Sequence, residues 1–241
     1  MPAYLVHGVP DTSRLWDAVR AQLARQDVIA PDLPGFGRPI PAGFDCSADT
    51  YAAWLVDDIA HLGTPVDLVG HDWGSLLAQR VAALRPDLIR TLACGNGPID
   101  REYQWHDTAV AWQTPGLGEQ LMDLFAGEPA ITGLVASGLR PDYAADTVAR
   151  VDAVMKDAIL KLYRSAVDIG ARWEPSLENV RCPTLVIWAV DDPFVDARFG
   201  ERAASRLGAH LVRLDGGHHW PVARAAEVAR ALTEFWHAPR I

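Results

Sequence analysis

Short apolar runs alternate with amphipathic runs along most of this chain. Apolar runs with the length of buried strands occupy residues 4–6, 28–30, 66–69, 88–93, 184–190 and 209–214. Apolar residues at helical spacing occupy residues 12–25, 50–62, 75–84 and about 224–236. Alternation at this spacing predicts an α/β fold, in which a mostly parallel sheet is flanked by helices and joined by right-handed crossovers.

The alternation stops between residues 98 and 180. This segment has no confident strand pattern, but it carries a long helical pattern through Val148, Val151, Met155, Ile159 and Leu162. We therefore predict a core formed by residues 1–97 and 181–241, with residues 98–180 inserted as a helical cap.

Composition and charge restrict the class of function. The chain has 241 residues, of which 49% are hydrophobic and 22% are charged, and its formal net charge is −9. This composition is typical of a globular protein, and an acidic chain without a basic run is not expected to bind nucleic acid or an anionic membrane. We find no run of about 20 apolar residues and no signal-peptide pattern, and the 3 cysteines are far apart. We expect a cytoplasmic enzyme or binding protein.

The segment GHDWG, residues 70–74, joins a predicted strand to a predicted helix. Gly70 and Gly74 permit a tight turn that would expose Asp72 at the helix N-terminus, where partial positive charge favours the ionised carboxylate. The form G-x-D-x-G is the nucleophile-elbow pattern with Asp in place of Ser. The alternative is that Asp72 only caps the helix.

Two later segments contain partners for such a nucleophile. LVIWAVDDPFVD carries Asp191 and Asp192, and LDGGHHWPV carries His218 and His219. Nucleophile, acid and histidine follow each other in the chain order of the α/β-hydrolase triad. Each segment follows a predicted strand, and open α/β sheets place their sites at the carboxyl ends of the strands. The motifs alone leave open which member of each pair takes part.

A third loop, HGVP, follows the first predicted strand. The backbone N–H groups of Val9 and Trp73 are predicted to form an oxyanion hole. His7 is expected to border the substrate site and to bond to the backbone of its own loop.

Together these segments make the chain similar to α/β-hydrolase-fold proteins of the epoxide hydrolase and haloalkane dehalogenase branch. The resemblance runs through HGVP, PDLPGFG, GHDWG, VDDPF and GGHHWP, and so covers nearly the whole chain. It implies that Asp72 is the nucleophile. It also implies Asp192 as the acid, because this residue directly precedes Pro193, and His218 as the base, because it follows Gly217.

The resemblance also implies a shortened sheet. Relatives usually carry an extra β-hairpin before the HG strand, whereas only six residues precede His7 here. We therefore expect about six strands and an uncovered sheet edge, which a second subunit could cover in a homo-oligomer.

An Asp nucleophile indicates attack on a saturated carbon, because attack on an ester or amide would give an anhydride that readily reverses. The expected product is an alkyl ester on Asp72. Water activated by His218, with Asp192 orienting the imidazole, would then cleave that ester. No metal or organic cofactor is required, and the expected partner is a small epoxide or organohalide.

The cap residues bear on which leaving group is used. Tyr163, in LKLYRSA, is similar to the ring-opening tyrosine of epoxide hydrolases, whereas the position of the second family tyrosine is occupied by Thr108. Either one tyrosine suffices, or Tyr103 or Tyr143 substitutes for the second, or the substrate is not an epoxide. Of the possible reactions we predict epoxide hydrolysis first. The other residues expected to contact substrate are Tyr103, Trp112, Tyr143 and His219.

Carbon–halogen hydrolysis is the alternative, because the indole N–H of Trp73 could bind a halide. Many dehalogenases pair this tryptophan with an Asn at the position of Val9, so a cap tryptophan would have to be the second donor: Trp105, Trp112 or Trp173. A hydrolase-fold binding protein without turnover is a third possibility.

Overall fold

The computed structural model describes residues 1–238, which contain a six-stranded sheet. Its strands are β1 Ala3–Val6, β2 Val28–Ile29, β3 Val66–His71, β4 Ile89–Gly95, β5 Thr184–Ala189 and β6 His210–Leu214. Their order across the sheet is β2-β1-β3-β4-β5-β6, and all neighbouring strands are parallel. The predicted α/β fold and its shortened parallel sheet are confirmed.

Helices cover both faces of this sheet. They are α1 Asp17–Arg20, α2 Ala48–Ala60, α3 Trp73–Leu84, α4 Asp107–Gln113, α5 Leu117–Leu124, α6 Gly127–Ala136, α7 Pro141–Arg150, α8 Ala153–Arg164, α9 Ile169–Trp173, α10 Ala197–Leu207, α11 Trp220–Ala223 and α12 Ala225–His237. Within residues 1–238, no helix is long and apolar enough to cross a bilayer.

The first predicted helix, residues 12–25, is wrong in its extent. The chain forms a 3₁₀ turn at Ser13–Trp16, and α1 then ends at Arg20. Leu15, Trp16 and Val19 are buried, whereas most of the residues that follow are exposed. Tertiary packing therefore stabilises only the first turns, and a helix this short does not persist without packing.

Residues 98–180 lie between β4 and β5 and form α4 to α9, with a 3₁₀ turn at Glu174–Asn179. The continuous helical pattern predicted through this segment is divided into α7 and α8. The division occurs because the Asp152 side chain accepts a 2.8 Å hydrogen bond from the Met155 N–H and so caps a new helix.

The core lies on both faces of the sheet. Along β1, Ala3 and Leu5 pack on one face, and Tyr4 and Val6 pack on the other. Burial on both faces explains why β1 and β5 are almost entirely apolar in sequence. It also leaves the carboxyl edge of the sheet as the place where polar loops converge.

Candidate active site

Asp72 lies in a strained turn at the carboxyl end of β3. Its backbone angles are φ 54° and ψ −124°, which a residue with a side chain rarely adopts. A Cβ at Gly70 would clash with the carbonyl oxygen of Gly74, and a Cβ at Gly74 would clash with that of Val6. The two glycines therefore allow the close packing that holds the Asp72 carboxylate at the edge of the sheet.

The imidazole of His218 lies between two carboxylates. Its Nδ1 is 2.7 Å from Asp192 Oδ2, and its Nε2 is 3.6 Å from Asp72 Oδ2. The second oxygen of Asp192 accepts hydrogen bonds from the N–H groups of Phe194 (2.7 Å) and Val195 (3.3 Å). Asp192 is therefore fixed behind the imidazole, while Asp72 faces it from the front.

The neighbouring acid and histidine occupy different surroundings. Asp191 is exposed, and its carboxylate accepts a hydrogen bond from the Gly216 N–H at 3.1 Å. His219 Nε2 lies 3.1 Å from the Ser137 hydroxyl, on the cap. Of the two alternatives in each predicted pair, the geometry brings Asp192 and His218 together with Asp72.

These contacts set the charges of the three groups. Burial alone would favour neutral His218, but Asp192 and Asp72 together raise its pKa to about 10. Burial likewise opposes ionisation of both carboxyls, yet contact with His218 holds the pKa of Asp72 and that of Asp192 below their usual range. In the free protein at neutral pH, an imidazolium therefore bridges two carboxylates.

Asn96 is a member of this cluster that the sequence analysis did not predict. It directly follows β4, and its amide donates to Asp192 Oδ2. Its own oxygen accepts hydrogen bonds from the Ala189 N–H and the Trp220 indole, both at 2.9 Å. Its place directly after a strand, at the edge where the other site residues lie, was the one available signal.

The loop HGVP, which follows β1, contacts Asp72 through one backbone hydrogen bond. The backbone N–H of Val9 donates to Asp72 Oδ1 at 2.8 Å, while the backbone N–H of Trp73 makes no hydrogen bond within residues 1–238. His7 does not border the cavity, contrary to prediction. Its Nε2 accepts from the Leu33 N–H at 3.0 Å and its Nδ1 donates to the Gly8 carbonyl, so the ring braces two loops.

A mostly apolar cavity of about 400 Å³ opens above Asp72. Five predicted cap and loop residues line it: Tyr103, Thr108, Trp112, Tyr163 and His219. Tyr143 does not, because α7 packs it against a second apolar cluster, and it borders a separate recess beside Asp11 and Thr12. The prediction that Tyr143 contacts substrate is therefore wrong for this arrangement.

Aromatic rings form the cavity wall beside Asp72. Tyr163 packs edge-on against Trp73, with ring centres 5.3 Å apart, and against Trp112 at 4.9 Å. Burial raises the pKa of Tyr163 well above its ordinary value, and the charge of Asp72 adds to the rise. The hydroxyl therefore stays protonated and can act as a donor.

The tryptophan N–H groups differ in availability. The Trp73 indole N–H is buried without a hydrogen-bond acceptor of ordinary geometry in the described part of the chain. The indole of Trp105 donates to the Ala166 carbonyl at 3.0 Å, and that of Trp173 donates to Asp49 at 2.9 Å. Of the three cap tryptophans proposed as second halide donors, only Trp112 borders the cavity without such a bond.

Further polar groups border the triad or the cavity without having been predicted: Asp11, His71, His106 and Ser137. Burial, together with the charge of Asp72, raises the pKa of Asp11 to about 7. Within residues 1–238, no group of three or more His, Cys, Asp or Glu side chains is arranged to hold a metal ion.

Comparisons with known proteins agree with this architecture. A model of a family described as the alpha/beta hydrolase family matches residues 3–231. A haloalkane dehalogenase of Mycolicibacterium paratuberculosis is 28% identical over an alignment of 261 positions, which covers 98% of this chain and 84% of the relative. A pimeloyl acyl-carrier-protein methyl ester esterase of Neisseria meningitidis is 27% identical over 238 residues, covering 95% and 74% respectively.

A solved structure also aligns over almost the whole chain. The haloalkane dehalogenase DbeA from Bradyrhizobium elkani superposes with a TM-score of 0.77 and 26% identity, covering 99% of this chain and 92% of DbeA.

Replacing Asp72 with Asn should lower the pKa of His218. The substitution removes one of the two negative charges that stabilise the imidazolium, so we expect a decrease of about one unit or more. Side-chain ¹⁵N NMR of labelled histidine measures it directly. Asp191→Asn, which removes an exposed carboxylate outside the triad, is the control, and an unchanged His218 pKa in Asp72→Asn would contradict the assigned electrostatics.

Replacing Asp11 with Asn should remove a pH-dependent loss of stability. The pKa of Asp11 is about 7 in the folded chain, against 3.8 for the free group, so the folded state retains a proton that the unfolded state has released between these values. Stability therefore falls as the pH rises through this window. Between pH 4 and pH 8 the wild type should lose on the order of 4 kcal/mol of unfolding free energy that Asp11→Asn does not lose. Urea unfolding at both pH values measures this loss, and a pH-independent difference would refute the assignment.

Proposed function

Because the chain belongs to the alpha/beta hydrolase family, we propose that it is a hydrolase that opens epoxides through an alkyl ester on Asp72. The observation that carries this proposal is an aspartate carboxylate, rather than a hydroxyl, at the elbow facing a His218–Asp192 pair. A carboxylate that attacks a saturated carbon forms a stable ester, and the leaving group need not return.

The two oxygens of Asp72 have different surroundings. Oδ1 accepts the Val9 N–H, so Oδ2 is the oxygen free to attack. In the first step Oδ2 bonds to a ring carbon while the carbon–oxygen bond of the epoxide breaks. The ring oxygen takes the proton of Tyr163, whose hydroxyl is held in the neutral form by burial.

Esterification then changes the state of His218. Asp72 loses its negative charge, so the pKa of His218 falls and the imidazolium can give up its proton to restore neutral Tyr163. The neutral imidazole now takes a proton from water, and the resulting hydroxide attacks Cγ of Asp72. Negative charge develops on Oδ1, where the N–H groups of Val9 and Trp73 stabilise it. The bond between Cγ and the ester oxygen breaks, and the departing oxygen takes the proton of the newly added hydroxyl group. The diol then leaves, and Asp72 is again ionised.

The proton balance of this cycle supports an epoxide substrate. Opening an epoxide requires one proton for the alkoxide, and the resting imidazolium stores one proton. Water returns that proton to His218 in the second step. No net proton enters or leaves, so a buried site can complete the cycle without exchanging protons with solvent.

Hydrolysis of a carbon–halogen bond is the second candidate. The buried Trp73 indole N–H has no hydrogen-bond acceptor of ordinary geometry within residues 1–238 and could donate to a departing halide, with Trp112 or Tyr163 beside it. The likeness to the mycobacterial haloalkane dehalogenase and to DbeA favours the same chemistry. The nucleophile and the water-activating pair are the same in both candidates.

His218→Ala should accumulate the alkyl-enzyme, because ester formation does not require a base while ester cleavage does. Intact-mass analysis after incubation with styrene oxide or with short haloalkanes detects the adduct. An epoxide adds its whole mass, whereas a haloalkane adds only its alkyl group. The double variant Asp72→Asn/His218→Ala is the control. Absence of any adduct in His218→Ala across both panels would favour a binding protein without turnover.

Tyr163→Phe should distinguish the two leaving groups. Loss of the proton donor should slow epoxide opening about a hundredfold or more, whereas halide departure needs no proton and should be affected little. Single-turnover alkylation rates measure both reactions. Tyr143→Phe is the matched control, because it removes the hydroxyl of a cap tyrosine outside the cavity. Equal losses for both substrate classes in Tyr163→Phe would count against its role as an acid.

A further inference from the structure

Three buried polar atoms near the catalytic histidine have no hydrogen-bond partner within residues 1–238. They are Asp11 Oδ1, His71 Nδ1 and His219 Nδ1, on side chains that are 2%, 0% and 2% exposed. Each residue lies within two positions of a residue of the site: Asp11 and His219 follow β1 and β6, and His71 is the last residue of β3. A buried polar atom without a partner costs about 1–3 kcal/mol, so three around one group indicate a ligand that bonds to them.

The spacing of these atoms fits a small bridging molecule. Asp11 Oδ2 and His219 Nδ1 are 3.9 Å apart, which is too long for a direct hydrogen bond. The rings of His71 and His219 are 6.4 Å apart, centre to centre. His71 Nε2 already bonds to the His218 carbonyl at 2.8 Å, and His219 Nε2 to Ser137, so the Nδ1 atoms remain for another partner.

The electrostatics of the cluster favour a neutral ligand. Burial lowers the pKa of His71 to about 3 and that of His219 well below its usual value, so both rings are uncharged at neutral pH. Burial raises the pKa of Asp11 to about 7, so this carboxyl is largely neutral below that pH. The facing charges, on Asp72 and His218, are already paired with each other.

We propose that Asp11, His71 and His219 bind a buried water that supplies the cleavage of the Asp72 ester. Water both donates and accepts, and buried waters typically make about three hydrogen bonds. The proposal rests on the proposed function, because it assigns these residues to the second step only. They act through the water and are positioning residues.

The mostly apolar lining of the cavity explains why a water held by polar side chains is needed in the second step. Once the ester has formed, the alkyl group occupies the mostly apolar space of about 400 Å³ above Asp72. The hydrolytic water must then reach Cγ from a polar side. His219 lines the cavity, and its Nδ1 lies 3.9 Å from Asp11 Oδ2, so the cluster reaches the cavity wall through His219.

Asp11→Leu and His219→Phe test the proposal, because each replaces a polar side chain by an apolar one of similar size. In rapid-quench experiments with styrene oxide, or with 1,2-dibromoethane if the protein acts on halides, Asp11→Leu should be alkylated at the wild-type rate. In His219→Phe, which also changes the cavity wall, the ratio of the hydrolysis rate to the alkylation rate is the readout. Hydrolysis should slow about tenfold or more, as expected for the loss of a buried hydrogen bond. The alkyl-enzyme should therefore accumulate in intact-mass spectra. If Asp11→Leu does not fold, His219→Phe still provides the test.

Asp11→Asn, which retains polar atoms for the water, should hydrolyse the ester at close to the wild-type rate. Thr12→Val, a substitution of similar size in the same buried loop, is the control for packing. Equal slowing of both steps, or unchanged hydrolysis in Asp11→Leu and His219→Phe, would overturn the water site while leaving the Asp72 ester mechanism intact. Absence of an ester in His218→Ala would instead refute the proposed function.

Discussion

The site depends on one imidazole held between two carboxylates at the carboxyl edge of the sheet. Desolvation alone would remove the charge from all three groups, and their mutual attraction reverses this for each of them. The contact with His218 keeps Asp72 ionised and therefore nucleophilic. The same contact keeps His218 protonated, and so unable to act as a base while Asp72 is free. In the proposed reaction, the formation of the ester is itself the event that converts the imidazolium into a base.

The parts that could be predicted from sequence are those set by local geometry. A strand buried on both faces favours a nearly continuous apolar run, so β1 and β5 were recognisable. The turn at Asp72 requires residues without a Cβ at both flanks, so Gly70 and Gly74 marked it. The chain order of acid and histidine then identified the loops after β5 and β6, because parallel strands bring those loops to one edge.

The parts that could not be predicted depend on where a side chain points after packing. His7 and Tyr143 were expected at the cavity, but the ring of His7 bonds to two loop backbones and α7 packs Tyr143 at a separate recess. Asn96 acquires its role only through contacts with Asp192, Ala189 and Trp220, which are distant in sequence. No local pattern encodes such contacts.

Tyr163 is the proposed proton donor, and Thr108 occupies the place of a second donor, which raises the question of how ring opening would proceed in the proposed epoxide mechanism. The arrangement of Trp73 offers a physical answer. Its indole lies close enough to the Tyr163 hydroxyl to lower the pKa of that group, against the larger effects of burial and of Asp72. A donor directed at the phenol oxygen stabilises the developing tyrosinate and leaves the phenol proton free for the substrate. In the epoxide mechanism Trp73 therefore strengthens the acid, whereas in the halide mechanism the same N–H must turn towards the leaving group. The two chemistries compete for one hydrogen-bond donor.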